Sequence, residues 1–212
     1  MKFSLAAAAL YALSGTSAAA VPVIDPRAPT VVGTIDASVD AVKNALPTYL
    51  SSIESSAAVV AGEASVYTAI AQAAIAAIQS SAANITATLN AAAGNILRAT
   101  LTATGEINTR AAVLLQSEVD LLAQDLRTIG VILQNINATV TIVHADLDAA
   151  AQQLVQTELG AVAAAVQPFV GPVTAFANAA ATLSIGAQVN GLRGAITGLV
   201  NILAGLIATI GL

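Results

Sequence analysis

The sequence predicts an all-α protein, an antiparallel bundle of about five amphipathic helices, and three observations predict it. Apolar residues recur at steps of three and four along most of the chain, the spacing that gathers them on one stripe of a helix. The alternation of a half-buried strand is absent. Of 212 residues, 57% are hydrophobic, carried by Ala, Val, Leu and Ile, while 9% are charged and 3% aromatic. That balance belongs to a chain that buries a core, not to a disordered one.

The first 20 residues read as a secretory signal peptide. Met1-Lys2 gives a positive start, Phe3 to Leu13 an apolar core, and Ala18-Ala19-Ala20 a small-residue cleavage site before Val21. The apolar core is roughly half of the ~20 residues that a bilayer span requires. The expected location is therefore extracellular or in a cell wall. The mature chain keeps six basic and twelve acidic residues, a formal charge of −6. Residues 21–29 contain Pro22, Pro26 and Pro29, which deny backbone donors and favour an extended lead. A helical domain is expected over residues 30–176, followed by an apolar Gly/Leu/Ile-rich helix over 177–212.

The first stripe runs through Val32, Ile35, Val39, Val42, Leu46, Tyr49, Ile53, Ala57 and Val60, with a kink or restart expected at Pro47. A second runs from Ala71 through Ile75, Ile78, Ala82, Ile85, Leu89, Ala92 and Ile96, with Gly105 expected to end its helix. The third is Leu115, Val119, Leu122, Leu126, Ile129, Leu133, Ile136, Val140, Val143 and Leu147, a heptad alternation. Its phase slips afterwards to Ala151, Val155, Leu159, Val162 and Val166, and Pro168 and Pro172 are expected to stop it. As one helix, Leu115 to Val166 would run about 78 Å, nearly twice the ~40 Å breadth of a compact domain of this size. A break is therefore expected, with Gly130 and Gln134 to Asn137 as its candidate places. One long central helix is the alternative.

From Leu159 to Leu212 the single charge is Arg193. Ser184 is a candidate cap for a last helix whose stripe is Val189, Leu192, Ile196, Leu199, Leu203, Leu206 and Ile210. Gly191, Gly198 and Gly205, with Gly194, form a small-residue stripe of the kind that lets helices approach closely. Three readings of this tail stay open. It is a buried bundle helix, a signal for a glycosylphosphatidylinositol anchor attached near Asn178-Ala179-Ala180, or a membrane-inserting segment of roughly 28 Å from Gly194 onward.

Composition excludes several function classes. Seven basic residues against twelve acidic ones leave no footprint for nucleic acid. Without cysteine there is no disulfide framework, thiol nucleophile or thiolate metal site. His144 and Asp148 share a helix face four residues apart, with Asp146 nearby, but a third metal ligand is missing and a solvated polar face is the expected reading. Glu118, Asp120 and Asp125 are read as solubilising charge paired with Arg110 and Arg127. No nucleophile elbow or phosphate-binding glycine loop occurs. The expectation is a protein that is not an enzyme and carries neither cofactor nor metal. Asn84-Ile85-Thr86 and Asn137-Ala138-Thr139 fit the acceptor pattern for N-glycosylation.

The run Arg27-Ala28-Pro29-Thr30-Val31-Val32-Gly33-Thr34-Ile35-Asp36-Ala37-Ser38-Val39-Asp40-Ala41-Val42, behind an Ala-rich leader, resembles the fungal hydrophobic-surface-binding and cell-wall galactomannoprotein family. The resemblance covers roughly Thr30 to Phe176 and rests on amphipathic pattern and Ala/Ser/Thr-rich composition. It implies a bundle of about five helices that adsorbs to hydrophobic surfaces or holds fatty acids between helices. Stripes that mix Ala with Ile and Leu can leave an acyl-sized channel, where each buried methylene is worth ~0.8 kcal/mol. Its expected walls are Ile78, Ile85, Leu89, Leu122, Leu126, Ile129, Leu133, Ile136 and Val140. The expected partners are thus a lipid or hydrophobic surface and cell-wall components. The alternative is a structural or anchored wall protein without a small ligand, and a third idea is a membrane-inserting protein.

Overall fold

A computed structural model describes residues 30–108, 111, 114–183 and 189–210. The leader, the Pro-containing lead, Arg110 and Ser184 lie outside the described residues. Five helices follow one another: α1 (Val31–Gly62), α2 (Ala69–Thr100), α3 (Gln116–Asp146), α4 (Ala149–Leu183) and α5 (Val189–Ile210). An all-α bundle is what the stripe periodicity predicts.

Local signals set the helix starts. The Thr30 hydroxyl accepts from the Gly33 amide at 2.9 Å, and the Thr68 hydroxyl accepts from Ala71 at 3.1 Å while donating to Glu63 at 2.8 Å. Glu118 reaches back to accept from the Leu115 amide at 3.0 Å, closing the first turn of α3. The Asp148 carboxylate accepts from the Ala151 amide at 2.8 Å and so caps α4.

Several boundaries differ from the sequence reading. The long third stripe breaks at Leu147-Asp148, between α3 and α4, and not at Gly130 or Gln134 to Asn137, which lie inside α3. The phase slip is the break itself, and Asp148 is its signal. Pro47 neither stops nor restarts α1, and Pro168 and Pro172 lie inside α4. Each internal proline costs roughly 3 kcal/mol. Packing on both sides offsets it, since Leu46 and Leu50 flank Pro47, and Phe169, Val173 and Phe176, all fully buried, flank the pair in α4. The second helix ends at Thr100, not Gly105. Gly105 instead takes the left-handed φ of +79° in a turn closed by the isolated bridge between Leu101 and Ile107.

The helices close a ring in the order α1, α2, α4, α5, α3, each packed on the next, with weaker contact between α3 and α4. Lys43 to Leu50 share a cavity wall with Thr128 to Asn135, and Thr139 donates to Glu54 farther along both helices, so α1 and α3 run parallel. Short turns make α2 and α4 antiparallel to them. In α5, Gly191 lies beside Arg127, and a side chain at Gly130 would meet Ile202 Cδ1 at 3.1 Å. This close approach is what glycine permits at that position. α4 runs without interruption across residue 176, and α5 buries Val189, Leu192, Ala195, Ile196, Leu199 and Leu206 in the same core.

Candidate functional site

The nine residues expected to wall a channel come together, but in a closed core. Ile78, Ile85, Leu89, Leu122, Leu126, Ile129, Leu133, Ile136 and Val140 are each at most 3% exposed and belong to one continuous hydrophobic cluster. The stripes of facing helices thus meet one another inside the bundle. Open space lies instead in surface grooves. One of about 690 Å³ follows the α1–α2 junction over Gly33, Ala37, Ala41, Ala91 and Arg98. Another of about 640 Å³ lies at the α3–α4 turn over Val143, His144, Gln152 and Leu159. A third of about 370 Å³ separates α3 from α5 along Gly130, Gly191, Gly194 and Gly198. Leu126 and Val140 are the only expected wall residues that reach a groove edge among those described.

Apolar side chains reach the surface on several helices, among them Ile70, Val131, Leu183 and Val200. Among the described residues three helices are long and apolar enough to cross a membrane, and of these Val189–Ala208 has the most apolar 18-residue stretch and the least buried one, 28% against 50% in α3 and 44% in α4. Its outward face carries Val200, Asn201, Ala204, Gly205 and Ile207, with Val200 49% and Ile207 40% exposed. The one charge of α5, Arg193, donates to the Ala181 carbonyl at 3.2 Å near the start of the helix, so the remaining length presents no ionised group.

The polar candidates divide. His144, Asp146 and Asp148 are all exposed, and no group able to hold a metal ion occurs among the described residues. Asp148 is occupied as a cap, and the His144 carbonyl accepts from the Gln152 amide at 2.9 Å. Asp120 accepts from Gln116 at 2.8 Å on the surface. Asp125 departs from the expected solvated face. It is 3% exposed, and burial pushes its carboxyl up from 3.8 to about 7, with the charge of Asp36, a hydrogen bond to Asp36 and the charge of Asp40 adding to the effect. The charges that act on it are thus acids of α1, not Arg127. The one ion pair among the described residues joins Lys43 to Asp40 at 3.7 Å on the surface.

Asn84 is exposed on α2, whereas Asn137 is half-buried with its Oδ1 enclosed and unpartnered. Asn178 to Ala180, the expected anchor region, lies within α4, where Ala177 and Ala180 are fully buried. What the molecule presents is therefore an all-α bundle with an apolar helix face and one buried acid, Asp125. No family model, curated protein or solved structure matches the chain.

Proposed function

We propose that the protein is a secreted, non-catalytic binder of hydrophobic surfaces and lipids, and that it meets them through the outward face of α5. The observation that carries this reading is that the most apolar stretch among the three long helices is also the least buried. A helix with one face in the bundle and an uncharged outer face lies along a surface rather than across it, because its inner face remains packed on α3 and α4. The resemblance of residues 27–42 to the fungal hydrophobic-surface-binding family supports the same activity, and secretion would bring the protein to such surfaces.

The test is sedimentation of the full mature chain with phosphatidylcholine vesicles and its adsorption to alkane droplets. The protein is expected to partition to both without releasing an entrapped dye. Val200→Lys and Ile207→Lys change exposed positions, and each should lower partitioning about tenfold, because half-burying one such side chain contributes roughly 1 kcal/mol and a buried charge adds a cost. Unchanged partitioning in the double variant would remove α5 from the contact. A mature mass ending near Asn178 would delete α5 and favour the structural wall protein instead.

A further inference from the structure

We propose that the groove between α3 and α5 docks the headgroup of an anionic phospholipid, with the Arg127 guanidinium on its phosphate. This contact builds on the surface-binding reading of α5 and adds a headgroup preference to it. Arg127 differs from the other cations in having nothing to hold. Lys43 pairs with Asp40, Arg98 donates to Asn95 at 2.6 Å and Arg193 donates to the Ala181 carbonyl at 3.2 Å. Arg127 is exposed on α3 and makes no hydrogen bond or ion pair among the described residues. It lines the groove of about 370 Å³ together with Leu126, Val131, Leu199 and Ile202, and a Cβ at Gly191 would lie 3.9 Å from its Nη2. A guanidinium over apolar walls, with no acid to neutralise it, suits an anion that brings an apolar chain with it, and its planar fork matches phosphate oxygens.

The register of the two helices sets what lies beyond the cation. Arg127 lies by Gly191 and Gly130 by Ile202, so α3 and α5 run parallel. Charge stops at nearly the same level on both, since no ionisable side chain occurs from Thr128 to Val143 on α3 or after Arg193 on α5. Val131 and Ile142 are exposed on the first of these strips, Val200 and Ile207 on the second. Two uncharged strips that begin beside one guanidinium let the arginine stem lie at the hydrocarbon boundary while its head reaches the phosphates. The far end of α3 carries Asp146, so a cation marks one end only. General attraction does not explain a preference for anionic lipid, because the mature chain has a formal charge of −6 and is repelled as a whole. The preference must come from a contact within the ~8 Å over which charge acts at physiological salt.

Sedimentation of the full mature chain with two kinds of vesicle tests the contact, one of phosphatidylcholine alone and one of equimolar phosphatidylcholine and phosphatidylglycerol. The mixed vesicles are expected to take up the protein about fivefold more strongly, the effect of one basic residue at an anionic lipid surface. Arg127→Gln should partition equally to both. Arg127→Lys should keep most of the difference, because an ammonium also serves a phosphate as a point charge. Arg98→Gln, on α2 across the ring, should match the parent. Equal uptake of the parent by both vesicles, a preference that survives Arg127→Gln, or an equal loss in Arg98→Gln would overturn the headgroup contact, while uptake by phosphatidylcholine vesicles and alkane droplets still stood for α5. Failure to bind phosphatidylcholine vesicles, mixed vesicles and droplets alike would overturn the α5 reading and the headgroup contact with it.

Discussion

Asp125 sits one position off the Leu122–Leu126 stripe, where a two-stranded coil would meet water. In this ring α3 has α1 on one flank and α5 on the other, so the burial widens beyond the stripe itself. Asp125, Ile132 and Thr139, seven residues apart, all turn inward toward α1, and Ala123 and Gly130 are buried on the other flank. Heptad spacing identifies the stripe but not how many helices surround it, which is why the acid read as solvated. The consequence for stability has a definite sign. A carboxyl raised from 3.8 to about 7 binds its proton in the fold and loses it in the unfolded chain between those values, so stability falls as pH rises from about 4 to about 7 and is level above. Urea unfolding from pH 4 to 8.5 should show a loss of a few kcal/mol over that window. Asp125→Asn should remove most of this slope and exceed the parent in stability at pH 8.

The helices show which local signals survive packing. The stripe of α1 was legible residue by residue, from Val32 to Val60, and every one of its members except half-buried Tyr49 is buried. Proline was misleading because its cost is a local quantity, whereas the burial that opposes it comes from other helices. Phe169, Val173 and Phe176 hold α4 through two prolines on surfaces that sequence spacing alone does not assemble. The short turn at Leu147-Asp148 was legible only as a change of phase. Pro47 gives an expected outcome at this scale: Pro47→Ala restores an amide donor within α1 and should stabilise the protein by about 1–2 kcal/mol, less than the full helical penalty because the unfolded chain also gains freedom. Thermal unfolding should show a rise in Tm of roughly 2–8 °C.

At the scale of the molecule, the closed core leaves surface attachment to the outside of the bundle. The nine residues expected to wall a lipid channel lie in the buried cluster, and a stripe of this kind is satisfied equally by a ligand or by its neighbours. Which of the two fills the space depends on side-chain shapes meeting across helices. If α5 is the contact face, adsorption requires no unfolding of the ring. The far-UV circular dichroism of vesicle-bound protein is then expected to match that of the free protein, while amide exchange in α5 slows. A bound state with altered helical signal would point to opening of the bundle on the surface.

The ring order has a consequence in time. α1 and α2 pair as soon as both have been synthesised, a local contact of the kind that forms fast. α3 docks on α1 and α4 on α2, but the side of α3 that faces α5 stays uncovered until the fifth helix emerges. At roughly 5–20 residues per second of synthesis, that apolar strip is exposed for seconds on every nascent chain. Delay in completing α5 therefore lengthens the interval in which two unfinished chains can stick to each other, and misassembly should track how late the last helix arrives.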